Sequence, residues 1–383
     1  MRSQYLVFGQ PLIEEDEIEE VVKSMRDAWL GTGPKVTAFE KLVAEYKGVE
    51  HAVAVNSCTA GLHLSCLAVG LQPGDEVIVP AMTFCATINA VFHAGATPVL
   101  VDVEPNTFNM DPDHVRSKIT PRTRAIMPVH FAGRSCNMHA LTAIADEYGL
   151  QVIEDCAHAI ETEYQGKKAG TFGQCGVLSF YSTKNIVTGE GGMILTDDPQ
   201  IAARAKMLAL HGMSQDAWKR FSDDGYKHYE VVEVGFKYNM MDLQAAIGMH
   251  QIQRVDRYWQ RRLEIWERYN MAFADLPVRI PAPFEGGCRH ALHLYTLLID
   301  EKQAPISRDG FMTALHNRNI GTGVHYRPIS VHPVYQRLLG CRPESFPISD
   351  AIGKETVSLP LSAKLSDEDV DDIVNTVRDV LTS

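Results

Sequence analysis

The chain lacks any apolar run near the ~20 residues that a membrane-spanning helix needs. Its 383 residues carry a formal net charge of -12. That deficit of positive charge argues against a general nucleic-acid binder. The eight cysteines form no C-x-x-C pair and no Cys/His cluster at zinc spacing, so neither a structural zinc nor a disulfide framework is expected. No Walker-type G-x-x-x-x-G-K-[ST] and no G-x-S-x-G elbow occurs. GTGPKV at Gly31 lacks the third glycine of a dinucleotide fingerprint and follows no strand pattern. The opening MRSQYLVFGQPLIEEDEIEE turns acidic after a short apolar patch, unlike a secretory signal. There is no internal repeat and no low-complexity segment. A cytoplasmic protein with reduced thiols and no membrane insertion is the expectation.

What is present is an ordinary globular balance, 45% hydrophobic and 22% charged. The length allows two domains. Short apolar runs alternate with helical patterns through the first half. AVAV, GDEVIVP, TPVLVDV, TRAIMPVH, QVIEDC, GVLSFY and GMILTD read as strands. Cys58 to Val69, Thr83 to Ala94, Met138 to Tyr148 and Pro199 to Leu210 read as helices. This alternation predicts a mostly parallel sheet with helices on both faces. His211 to Glu230 reads as a loop, and Met241 to Tyr269 as one long helical stretch. The Pro/Gly-rich LPVRIPAPFEGGCRH leads into a second unit. There ALHLYTLLID is a strand, and Ser307 to Asn317 and Asp367 to Leu381 are helices. A division into residues 1–255 and 256–383 is expected.

Several segments can carry chemistry. Lys184 follows the run GVLSFY and precedes the glycine-rich GEGG. Asp155 ends QVIEDC, and ligands of open parallel sheets bind beyond such strand ends. A lysine and a carboxylate at neighbouring strand ends suit pyridoxal phosphate (PLP). The lysine forms a Schiff base with the aldehyde, and the carboxylate keeps the pyridine nitrogen protonated. Asp155 alone also fits a helix cap. Glu154 should face the other way, because consecutive strand residues alternate. Asn56 to Gly61, NSCTAG, opens a helix after a strand and can bind an anion or simply cap the helix. Ser179 shares a face with Tyr181 and can cap a phosphate. Phe84 can stack on a planar ring or fill a core. His158 can touch a cofactor or merely pack. His325, Tyr326 and Arg327 follow a double-glycine turn, as a ligand surface or a solvated loop.

In this order, these segments resemble the DegT-type nucleotide-sugar aminotransferases, a PLP-dependent family. The matching stretches include WLGTGPKV, NSCTAGLHL, GDEVIVPAMTFCATINA, VIEDCAHA, LSFYSTKN, GEGGMILTDD, GFKYNMMDLQAAIG and IGTGVHYRPISVHPVY. The resemblance implies an α/β, aspartate aminotransferase-like fold type I, with a large sheet domain and a smaller α+β C-terminal domain. It implies that Lys184 anchors pyridoxal 5′-phosphate and Asp155 pairs with the ring nitrogen. His158 would lie near the ring hydroxyl, and Phe84 would stack on the ring. Cys58, Thr59 and Ser179 would hold the phosphate. Asn239 would reach the phosphate of a neighbouring subunit, making a homodimer with shared sites. His325 and Tyr326 would lie near a keto sugar nucleotide. The implied reaction is ping-pong, from L-glutamate, leaving 2-oxoglutarate, to the sugar, in amino-sugar or cell-surface polysaccharide or lipopolysaccharide synthesis.

Many members carry an arginine soon after the Asn, but Met240 and Met241 follow Asn239 here. His158, with HGMSQDAWKR, is similar to the branch acting on UDP-4-keto-pentose, the UDP-4-amino-4-deoxy-L-arabinose/oxoglutarate aminotransferases. In sugar dehydratases of the same fold a histidine replaces the lysine, so Lys184 favours amine transfer. A keto-inositol aminotransferase is a further alternative. A non-enzymatic regulator would not need the intact constellation.

Overall fold

The computed structural model describes residues 2–214 and 229–382. The expected loop at His211 to Glu230 and the HGMSQDAWKR stretch therefore lie partly outside the described residues. A 7-stranded sheet forms the centre, in the order β1-β9-β8-β5-β4-β2-β3. The strands are β1 (His51–Val55), β2 (Glu76–Pro80), β3 (Thr97–Val101), β4 (Thr123–Ile126), β5 (Gln151–Cys156), β8 (Cys175–Ser179) and β9 (Gly192–Thr196). A small separate sheet joins β6 (Glu163–Tyr164), β7 (Lys167–Lys168) and β10 (Cys288–Arg289). Neighbours from β3 through β8 run parallel, whereas β9 is antiparallel to both β8 and β1.

The near-continuous apolar runs reflect burial on both faces. Alternate residues Val53, Val77, Ile153, Val177 and Ile194 pack with the Cys58–Ala68 and Pro199–Ala209 helices. The intervening Ala52, Ala54, Leu178, Met193 and Leu195 pack with the Pro34–Lys47 and Asp242–Gln253 helices. Gly61 is what lets the first of these helices sit close. A Cβ there would meet Val177 Cγ1 at 2.5 Å.

A second core gathers Ile265, Trp266, Tyr269 and Phe273 with β11 (Tyr295–Leu298), β12 (Thr356–Leu359) and the Asp367–Thr382 helix. Its two strands pair antiparallel. The expected boundary at 255/256 falls at the start of the helix supplying those residues. Leu6, from the opposite end of the chain, joins this core and hydrogen-bonds Asn319 and Gly321.

Two expectations need correction. Met241 to Tyr269 is not one helix: Asp242–Gln253 and Val255–Phe273 break at Arg254. No proline or glycine marks the break. Arg254 instead leaves helical geometry where its guanidinium meets Glu14, Asp16 and Glu17. The helix expected from Thr83 starts at Cys85, with Phe84 as its extended N-cap.

Candidate active site

β5 presents two carboxylates to opposite sides, as strand alternation requires. Glu154 is fully buried and accepts from the N–H groups of Gly170, Phe172 and Gly173 and from His130. His130, Glu154 and Cys156 form a close grouping that the sequence spacing hid. The four donors already occupy the Glu154 oxygens, so the group reads as a structural brace. Asp155 faces a cavity of about 410 Å³ on the other side. The Thr87 hydroxyl donates to its Oδ2 at 2.8 Å, and the Ala157 N–H to its Oδ1 at 3.1 Å. Thr83 lies 2.8 Å from Thr87, completing a short relay. Burial raises the Asp155 pKa, and these donors and Lys184 oppose the rise.

Lys184 enters the cavity from the turn between β8 and β9. Its N–H donates to Tyr181, and Thr188 N–H donates to Phe180, each at 2.8 Å. Gly189 closes the turn at φ +83, a left-handed value that suits glycine. Burial pulls the Lys184 pKa down to about 8, against the opposing pull of Cys58 and Asp155.

The Cys58–Ala68 helix points its start at the same cavity. Ser57 is the N-cap and accepts from Ala60 N–H at 3.1 Å. Among the described residues nothing accepts from the Cys58 and Thr59 N–H groups, which leaves an open helix start facing the cavity, of the kind that can hold an anion. Gly192 makes room for it: a Cβ there would lie 2.6 Å from the Ser57 carbonyl carbon.

The cavity wall thus brings together Cys58, Thr59, Phe84, Asp155, His158, Ser179 and Lys184, all expected from sequence. His325 and Tyr326 join from the late chain. Phe84 is 56% exposed, a wall residue rather than a core aromatic. His325 stacks on Phe8 and bonds Ser358 at 2.9 Å. Burial and Lys184 lower its pKa to about 4. Both nitrogens of His158 are engaged, by Ala132 N–H at 3.2 Å and Tyr326 at 3.0 Å. Asn239 is expected at a neighbouring subunit's site rather than in this cavity. It does not line the cavity; its Nδ2 donates to Thr32 at 2.6 Å, and its Oδ1 is buried without a partner.

Sequence reasoning missed Thr87, Phe8 and His293, which also line the cavity. Thr83 and Thr87 stand one helical turn apart, a signal that was available. His293 looked like part of a strand, and nothing in its spacing tied it to Lys184.

Residues 11–378 match the DegT/DnrJ/EryC1/StrS aminotransferase family. The chain belongs to this family. It is 48% identical over 381 residues to the spore coat polysaccharide biosynthesis protein SpsC of Bacillus subtilis (strain 168), covering 99% of this chain and 98% of that one. The putative sugar aminotransferase Spr1654 of Streptococcus pneumoniae superposes with a TM-score of 0.91 at 32% identity, covering 99% and 98% of the two chains. Helicobacter pylori PseC, an aminotransferase of pseudoaminic acid biosynthesis, gives 0.91 at 27% identity, covering 99% and 100%. The cofactor is pyridoxal 5′-phosphate, and Spr1654 was solved in both PLP and PMP forms. The residues here fit that group: a buried carboxylate, a half-buried lysine, a wall aromatic and an open helix start share one cavity. No described helix is long and apolar enough to cross a membrane.

Proposed function

We propose that this protein is a PLP-dependent sugar aminotransferase, moving an amino group from L-glutamate to a keto sugar nucleotide, a UDP-4-keto sugar. Its product would feed cell-surface polysaccharide or amino-sugar synthesis in the cytoplasm, in keeping with the relatives' names. The observation that carries the reading is Lys184 and Asp155 lining one cavity with the open helix start. A dehydratase of the same fold has no use for a lysine at 184.

When bound, PLP supplies an electron-withdrawing ring that stabilises negative charge on the carbon bearing the amino group. Lys184 would anchor the cofactor and would move the proton as general base and acid. Its pKa of about 8 suits both directions near neutral pH. Asp155, held by Thr87 and Ala157, pairs with the ring nitrogen. Phe84 and His158, both lining the cavity, would hold the ring. The Cys58 and Thr59 N–H groups and the Ser179 hydroxyl would hold the phosphate. Asn239, with its unmet Oδ1, serves the site of a second subunit in a homodimer. His325 and Tyr326 contact the sugar.

Lys184 is the only lysine or arginine among the described residues lining the cavity. In this reading the cations for a diphosphate come from the second subunit. The same observation favours a second reading, a keto-inositol acceptor without a nucleotide. Half-reactions of the aminated holoenzyme with UDP-, GDP- and dTDP-keto sugars and scyllo-inosose separate the two. Turnover of the inosose alone would remove the nucleotide. A colourless protein that takes up no added PLP would sink both readings. Lys184→Ala should abolish the covalent link and its visible absorbance.

A further inference from the structure

His293 enters the cavity wall just before β11, with its ring centroid 4.3 Å from that of His158. Its protonation is fixed by its neighbours. Asn185, the residue after Lys184, donates through Nδ2 to Glu161 at 2.7 Å and to the Ala291 carbonyl at 2.8 Å. Both partners only accept, so the amide has one orientation. Its Oδ1 therefore faces His293 Nδ1, at 2.9 Å, and Nδ1 carries the proton. Glu161 is itself pinned by the buried Arg262. Burial and the Lys184 charge hold the imidazole neutral. Nε2 is then a bare acceptor, and no donor among the described residues reaches it.

The other side of His158 has the opposite polarity. Ala132 N–H donates to His158 Nδ1, so the neutral ring keeps its proton on Nε2 and gives it to the Tyr326 oxygen. The Tyr326 proton is then unspent. Burial holds it on the oxygen, and Tyr326 lines the cavity.

We infer that His293 Nε2 and Tyr326 O–H are a matched acceptor and donor that read an α-hydroxy ketone. The Tyr326 hydroxyl donates to the substrate carbonyl oxygen. The hydroxyl on the adjacent carbon donates to His293. This rests on the aminotransferase reading and narrows its acceptor class. A polar wall built for a hydroxyl rejects an analogue that leaves its acceptor unmet.

The test uses aminated holoenzyme in single turnover, followed by the visible absorbance of the regenerated cofactor. The probes are a UDP-4-keto sugar and its 3-deoxy counterpart. The wild type should favour the hydroxylated sugar roughly 10- to 100-fold. His293→Phe, which keeps a flat ring, should lose that preference, and His293→Gln, which restores an acceptor, should recover part of it. An equal preference in wild type and His293→Phe overturns the inference. So does a 15N-histidine spectrum showing His293 protonated on Nε2. If neither sugar reacts while L-glutamate still aminates the cofactor, the nucleotide-sugar reading fails, and the 15N spectrum decides His293 alone.

Discussion

The lowered pKa of Lys184 makes a quantitative prediction about cofactor capture. In the proposed reading, only the free amine of Lys184 would capture the cofactor aldehyde. With a pKa of about 8, about one-tenth of it is free at pH 7 and about nine-tenths at pH 9. The capture rate of apoprotein should therefore rise about tenfold across that window and then flatten. An ordinary lysine, at 10.5, would give about a hundredfold rise over the same window and keep climbing. Stopped-flow absorbance after mixing apoprotein with PLP distinguishes the curves. The same shift carries a stability cost. Roughly 2.5 units correspond to roughly 3 kcal/mol, fully present at pH 7 and lost as pH rises through 10.5, because the unfolded chain binds the proton more tightly. Lys184→Met apoprotein should thus be about 2–3 kcal/mol more stable than wild type at pH 7, with the gap closing toward pH 10.5. A capture rate still climbing tenfold per unit beyond pH 9, or a pH-independent stability gap, would refute the reasoning.

Thr87→Val removes a 2.8 Å donor from the Asp155 carboxylate. Losing a hydrogen bond to a charged group costs about 1.5–3 kcal/mol, or about 1–2 pKa units. Asp155 then rises further, and the acid limb of the kcat/KM–pH profile should move up by that amount. Glu154→Ala leaves His130 and the N–H groups of Gly170, Phe172 and Gly173 without their shared acceptor. A loss of several kcal/mol in denaturant unfolding is expected, at about 1–3 kcal/mol for each buried donor left unsatisfied. Gly192→Ala forces a Cβ to within 2.6 Å of the Ser57 carbonyl carbon. Displacing the helix start should weaken PLP affinity at least tenfold by equilibrium titration, with the fold retained by circular dichroism.

The sheet was readable because its strands are buried on both faces and punctuated by turn residues. Met138–Tyr148 and Gln151–Cys156 fall at their expected bounds. The segments that line the cavity were readable for a related reason: NSCTAG, QVIEDC and the Lys184 turn each pair a strand with a sharp chemical cue. The break at Arg254 was not, because ion pairs with a segment more than 230 residues away set it. His293 was hidden in the same way. Its tautomer depends on Asn185, Glu161 and Arg262, which no local spacing links. The direction of β9 was equally silent, since parallel and antiparallel buried strands share one composition.

That hairpin of β8 and β9 divides the labour of the cavity. Lys184, Asp155 and the Cys58–Ala68 helix start all hang from strands locked in one sheet. His293, His325 and Tyr326 instead arrive from chain that serves β11 and β12. In the proposed reading the late chain carries the acceptor contacts, but it is keyed to the cofactor wall at two points, His293 to Asn185 and Tyr326 to His158. Drift in the late chain that keeps those two contacts would change which ketone is accepted while the amine chemistry stays intact. A graft of residues 288–330 between relatives should exchange sugar preference only where Asn185 and His158 are matched.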